Sequence, residues 1–359
     1  MKFLNVKRQY DEWKDEFDAA YNRVMESGRY IGGKEVEAFE EEWARYCGAK
    51  YCVALSSGAT SLTLALTASG IMPGEGVIVP SNTYIATWFA VLEVRCIPVV
   101  QEPDETYCMN KVRWYKGTKA IIPVHLYGIA SNMAALERKA QKHNWTVISD
   151  CAQAHGAMFN GKNVGAFDWV NCWSFYPGKN LGAFGDAGAI TTNQEDIMQK
   201  VKSLRNHGST MKYENETWGV NGRMDPLQAA FLRIKLPHLD EMNDKRRKIA
   251  TYYQKELADV PDLVLPVSPS YSHTVWHQFV VRHPKRAALK QWLEVNNVPT
   301  MMHYPIAPHQ SIAILTSPFA KGKYPLAEEY ASTVLSLPID PFLSDAEIEQ
   351  VVKAVKTFE

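Results

Sequence analysis

Apolar residues recur at helical spacing over the first fifty positions. Across residues 11–27, Trp13, Phe17, Ala20, Val24 and Met25 fall on one face, and Gly28 offers a stop. Val36, Phe39, Trp43 and Tyr46 repeat the pattern over 34–47, closed by Gly48. A glycine-rich turn, SGRYIGGK, separates the two. From Tyr51 onward the pattern changes to short apolar runs: YCVAL at 51–55, GVIVP at 76–80, CIPVV at 96–100, KAIIPVHL near 119–126, WTVISD at 145–150, NCWSF at 171–175 and AGAITT at 187–192. These runs are continuously apolar instead of alternating. Strands of that kind are buried on both faces, which predicts a mostly parallel sheet covered by helices on each side. Intervening segments such as Thr60 to Ala68 have helical length.

Beyond Pro226 helices dominate up to about Ala258. QFVVR, AALKQWLEV and a helix near 345–357 then predict a second, smaller region. The reading divides the chain into a large α/β domain over 1–240 and a small α+β domain over 241–359.

The 359-residue length suits such a division. Lys plus Arg and Asp plus Glu both number 39, so no basic excess points to nucleic acid or to an anionic membrane. No long apolar run predicts a membrane span, and the N-terminal MKFLNVKRQYDEW lacks the apolar core of a signal peptide. A cytoplasmic enzyme is the expectation, with its six cysteines reduced and no C-x-x-C pair to suggest zinc or redox chemistry. The sequons at Asn144 and Asn215 then carry no meaning.

Four short segments carry candidate chemistry. Asp150 ends an apolar strand, where open α/β sheets place ligand groups, and Gln153 and His155 follow it. A helix cap is the competing role for Asp150. Lys179 lies in SFYPGKNLGAFGDAGA, residues 174–189; it is either a solvated lysine or a Schiff-base amine whose basicity is lowered by burial. SSGATS at 56–61 precedes a helix, so its amides suit either a phosphate or a simple capping turn. In SNTYIATW, residues 81–88, Trp88 is either core or a flat platform under an aromatic ring. Together they supply an amine, a ring acid, a phosphate cup and a platform, the set pyridoxal phosphate requires. The rival GRYIGGK at 28–34 imitates a P-loop, but Glu35 stands where a Ser or Thr is needed and no strand precedes it.

At these residues the chain resembles the DegT/DnrJ/EryC1/StrS family of sugar aminotransferases, nearly end to end. The matching segments are YIGG at 30–33, SSGATSL, VPSNTYIATW, CAQAHGA, SFYPGKNLGAFGDAGA, LRNHGS at 204–209, NGRMDPLQAA at 221–230, VWHQFVVR and HYP at 303–305. The resemblance implies an aspartate aminotransferase-like fold, type I of the pyridoxal-phosphate-dependent transferases. It implies Lys179 as the lysine that bonds the cofactor and Asp150 as the partner of the ring nitrogen. Gln153 would bond the ring hydroxyl, Trp88 would stack on the ring, and Gly58, Ala59 and Ser174 would hold the phosphate. Asn221 would reach the phosphate of a neighbouring subunit, giving a homodimer with shared sites. Tyr30, His155, His303 and Tyr304 would line the substrate pocket.

Two positions depart from the usual family wording. Ala59-Thr60 stands where Thr-Asp is common, and Ala187 where Gly is common, a mild change if its φ is negative. The family's sugar dehydratases carry His at the lysine position, so Lys179 favours transamination. The resemblance further implies L-glutamate as donor and a dTDP-linked 3-keto-6-deoxyhexose, aminated at C3, as acceptor. Amination at C4 of a 4-keto sugar is the alternative.

Overall fold

A computed structural model describes residues 1–211, 213–315 and 322–358. Its centre is a seven-stranded sheet. The strand order is Tyr51–Leu55, Gly188–Thr192, Val170–Ser174, Thr146–Asp150, Thr118–Ile121, Gly76–Pro80 and Ile97–Gln101. Every neighbouring pair from Val170–Ser174 to Ile97–Gln101 is parallel. Gly188–Thr192 alone runs against both of its neighbours.

The absence of alternation in these strands has its predicted cause. Successive side chains of a strand point to opposite faces, and here both faces are covered. Val53, Leu55, Val77 and Val79 enter one core, while Ala54, Ile78 and Ala189 enter the other. The helix Gly58–Ala68 lies on the first side with Leu62, Ala65 and Leu66 inward. Lys34–Cys47 lies on the second with Phe39 and Trp43 fully buried.

A third core gathers Ile249, Tyr253, Phe279, Leu289, Leu293, Leu335 and Val351. It is built on the antiparallel pair Phe279–Arg282 and Val334–Leu337, with the helices Leu239–Glu256, Arg286–Val295 and Asp345–Lys356 around it. Among the described residues no helix is long and apolar enough to cross a membrane.

The first predicted helix differs in one respect. It is two helices, Val6–Glu12 and Lys14–Ser27, hinged at Trp13, which leaves helical geometry (φ −123°, ψ 36°). The Trp13 indole stacks on His238 at 4.6 Å between centroids, an aromatic contact that holds the hinge. The segment before the hinge crosses to the C-terminal region, where Arg8 pairs with Glu347 at 2.9 Å and the Asn5 N–H donates to Asp340.

Candidate active site

Parallel strands deliver their carboxyl ends to one edge of the sheet, and the candidate residues collect there. Leu55, Gly188 and Ser174 share one rung. The chain leaving Leu55 turns directly over that rung into the helix Gly58–Ala68. The turn is so close that a Cβ on Gly188 would sit 2.3 Å from the Ser57 carbonyl, and one on Gly58 would sit 2.5 Å from Ser174 Cβ. Only glycine fits either position. Ser57 caps the helix, its Oγ accepting the Thr60 N–H at 3.1 Å. The first-turn amides of Gly58 and Ala59 and the Ser174 hydroxyl therefore sit together at a helix N-terminus, where partial positive charge favours an anion. Asn221 is exposed beside this cup, because the Gly222 carbonyl accepts the Ser56 N–H at 2.8 Å.

The loop bearing Lys179 links Val170–Ser174 to Gly188–Thr192 and is pinned from several directions. The Lys179 N–H donates to Tyr176 O, and Phe184 N–H donates to Gln228 Oε1 at 2.9 Å. Asn180 Nδ2 donates to Asn243 Oδ1 and to Val275 O, at 2.8 and 2.9 Å. Buried Lys235 donates to Gly182 O at 2.7 Å. Lys179 is half-buried, and burial pushes its ammonium pKa down to about 8, with the Asp150 charge pulling the other way. Three imidazoles nearby add no competing charge. Burial lowers His155 to about 3, His303 to about 4 and His277 well below the ordinary range, and in each case the Lys179 charge reinforces the shift.

Asp150 is buried at the end of its strand. Its carboxylate accepts from Thr87 Oγ1 at 2.9 Å and from the Ala152 N–H at 3.1 Å. Burial raises its pKa, while those two donors and the Lys179 charge oppose the rise. Gln153 accepts the Tyr127 N–H at 2.6 Å and donates to Tyr304 Oη at 3.0 Å. His303 Nδ1 bonds Ser336 Oγ at 2.7 Å, and the Phe3 ring lies 6.0 Å from the His303 ring.

Three expectations meet a different arrangement. Trp88 is no platform. It is fully buried in the core beneath the sheet edge, and its indole N–H is used on the Pro80 carbonyl at 2.9 Å. The exposed aromatic of that segment is Tyr84, 55% accessible, with its ring 5.3 Å from that of Tyr304. Tyr84 stands in the loop, whereas Trp88 already lies inside the helix Ala86–Glu93 and turns inward. His155 does not line an open pocket either. It is fully buried among Trp43, Trp173 and Phe175, and neither ring nitrogen closes a hydrogen bond among the described residues. Tyr30 sits exposed on the turn before Lys34–Cys47, its hydroxyl bonded to the Met25 carbonyl at 3.3 Å, so within its own chain it presents its ring to solvent. Thr87 and Tyr127 went unread in the sequence, although Thr87 sits beside the aromatic already singled out. Ala187 does not take a positive φ, so the alanine there is unstrained.

The sequence profile of the DegT/DnrJ/EryC1/StrS aminotransferase family matches residues 11–356. The chain belongs to that family. Among relatives of this aminotransferase, the dTDP-3-amino-3,4,6-trideoxy-alpha-D-glucose transaminase of Streptomyces venezuelae is 44% identical, covering 99% of this chain and 95% of that one. The dTDP-3-amino-3,6-dideoxy-alpha-D-galactopyranose transaminase of Aneurinibacillus thermoaerophilus is 46% identical over 99% of each. The crystal structure of S. venezuelae DesV in complex with a ketimine intermediate superposes with a TM-score of 0.97 at 43% identity, over 99% of this chain and 97% of the other. The aminotransferase is thus a pyridoxal-phosphate enzyme of the aspartate aminotransferase-like fold. Its residues fit that cofactor: an anion cup that side chains would fill, a buried acid and a lysine of lowered basicity meet at one edge.

Proposed function

We propose that this aminotransferase moves an amino group from L-glutamate to C3 of a dTDP-linked 3-keto-6-deoxyhexose, acting as a homodimer in the cytoplasm. The observation that carries the reading is the pair of full-length relatives, both named for dTDP-3-amino sugars, on two different sugars. When bound, pyridoxal phosphate supplies an electron sink and a carrier for the amino group.

The protein's own groups do the rest. Gly58, Ala59 and Ser174 hold the phosphate. Asp150 keeps a proton on the ring nitrogen, its orientation fixed by Thr87 and Ala152. Tyr84 offers the exposed aromatic face for the ring. Lys179 Nζ moves protons at the substrate carbon that bears nitrogen, a task its lowered pKa suits near neutrality. Tyr304 and His303 line the sugar pocket, and Asn221 extends to the phosphate of a partner subunit.

The test loads the enzyme with the amino group from L-glutamate and then offers matched 3-keto and 4-keto dTDP-6-deoxyhexoses, with the product fixed by NMR. The 3-amino sugar is the expected product. Rapid turnover of the 4-keto sugar with little from the 3-keto sugar would overturn the position while leaving the aminotransferase intact.

A further inference from the structure

Tyr127 is fully buried, yet its backbone is left-handed (φ 58°, ψ 11°). A bulky residue in that region is strained, and such strain persists only where surroundings enforce it. Here both ends of the residue are engaged. Its N–H donates to Gln153 Oε1 at 2.6 Å. Its hydroxyl donates to the His303 carbonyl. The ring is walled by Tyr107, edge-on at 5.2 Å.

These bonds close a circuit. Tyr127 N–H reaches Gln153, Gln153 Nε2 reaches Tyr304 Oη, Tyr304 follows His303 in the chain, and the His303 carbonyl returns to Tyr127. The circuit has a polarity. A backbone N–H only donates, so the Gln153 oxygen must face it and the NH₂ must face Tyr304. Tyr304 Oη then accepts, and its own proton is left to point into the pocket.

We propose that Tyr127 is the positioning residue of this circuit: its N–H sets the polarity and its hydroxyl, bonded to the His303 carbonyl, holds the adjoining Tyr304 in line, so that Tyr304 is kept as a hydrogen-bond donor toward an oxygen of the sugar. The proposal rests on the reading of Tyr304 as a pocket residue. It adds which way Tyr304's proton faces and what sets it.

The test is a double-substitution cycle in the holoenzyme. Tyr127→Phe keeps the N–H and removes the bond to His303. Tyr304→Phe removes the donor. Each should lower kcat/KM for the keto sugar about tenfold, the size expected for one lost hydrogen bond. The double variant should be no worse than Tyr304→Phe alone, because one acts through the other. A product of the two single effects would mean that Tyr127 is merely structural and would overturn the proposal. So would an unaffected Tyr127→Phe beside an impaired Tyr304→Phe, leaving the pocket reading standing. Normal turnover by Tyr304→Phe would overturn both.

A second arm does not depend on Tyr127 folding well when altered. Gln153→Glu, ionised, only accepts, so Tyr304 must donate its hydrogen bond to it and turn its proton away from the sugar; it should harm sugar turnover more than Gln153→Ala. With sugar turnover divided by the rate of the glutamate half-reaction, which takes out any effect on the cofactor ring, the two should converge in a Tyr304→Phe background. A Gln153→Glu enzyme as active as the unaltered one, or a gap that survives in the Tyr304→Phe background, would overturn the proposed polarity.

Discussion

Replacing Asp150 with Asn in the cofactor-free enzyme will make the Lys179 amine less basic still. Burial takes Lys179 from the ordinary 10.5 to about 8, against the pull of the Asp150 charge. At pH 7 about one molecule in eleven then carries the neutral amine, against about one in three thousand for an unperturbed lysine. That is roughly a three-hundredfold gain in the nucleophilic form. Because the pKa is lowered, reactivity appears as pH rises through 8, not through 10.5. Asp150→Asn removes the charge that opposes the shift, so the midpoint falls below 8. Competitive acetylation across the neutral and alkaline range, with the 174–189 peptide quantified by mass spectrometry, reads that midpoint. Labelling of the unaltered enzyme with a midpoint near 10.5 would refute the burial argument, and a rise on Asp150→Asn would refute the electrostatic one.

Other substitutions probe the remaining parts. His155 is held neutral by burial, near 3 against an ordinary 6.5, so the unfolded chain binds the extra proton between those values. Its share of stability is present above pH 6.5 and is lost as pH falls toward 3. His155→Leu should make urea-measured stability less steep in that window by about 1.4 kcal/mol per pH unit, and an unchanged slope would contradict the assignment. Trp88→Phe should cost roughly 1–2 kcal/mol through the lost bond to Pro80 and smaller volume, with cofactor absorbance retained. Tyr84→Ala should instead weaken cofactor retention about tenfold, the scale of one aromatic contact, and the reverse pattern would return the platform to Trp88. Asn221→Ala and Lys179→Ala, each weak alone, should recover activity when their subunits exchange, since one site of the mixed dimer holds both native residues. No recovery from proven heterodimers would assign Asn221 to the cup beside it in its own chain.

What the sequence disclosed follows from how strongly each residue is constrained. Strands buried on both faces write themselves as unbroken apolar runs, so GVIVP and WTVISD were legible within a residue of their ends. Direction leaves no such mark. AGAITT reads the same whether it runs with its neighbours or, as here, against them. Lys179 and Asp150 were visible because each sits in a segment of specific wording at a strand end. Trp88 and Tyr84 lie four residues apart, and only the point at which loop becomes helix decides which turns outward. His155 was misread because a polar residue after a strand end suggests a ligand, whereas its neighbours in space are three aromatic rings supplied by distant segments. Tyr127 left no signal, because its left-handed backbone is imposed by tertiary contacts.

The reversed strand Gly188–Thr192 has a mechanical consequence. Since it lies beside Val170–Ser174, the lysine loop is a hairpin whose two ends are held in register in the central sheet. The loop that carries the amine leaves the sheet at Ser174 and returns at Gly188, the rung over which the phosphate cup is built. Tyr304 and His303 lie on chain that pairs with Val334–Leu337, and Tyr304 packs on the cluster of Tyr107, Tyr127, Val280 and Tyr330. Adjustment to a bulkier or differently configured sugar therefore falls on the segment that carries Tyr304 and His303, which is no part of the lysine loop or the phosphate cup. Exchanging the C-terminal third between relatives should change which sugar is accepted while leaving the rate of the glutamate half-reaction nearly untouched.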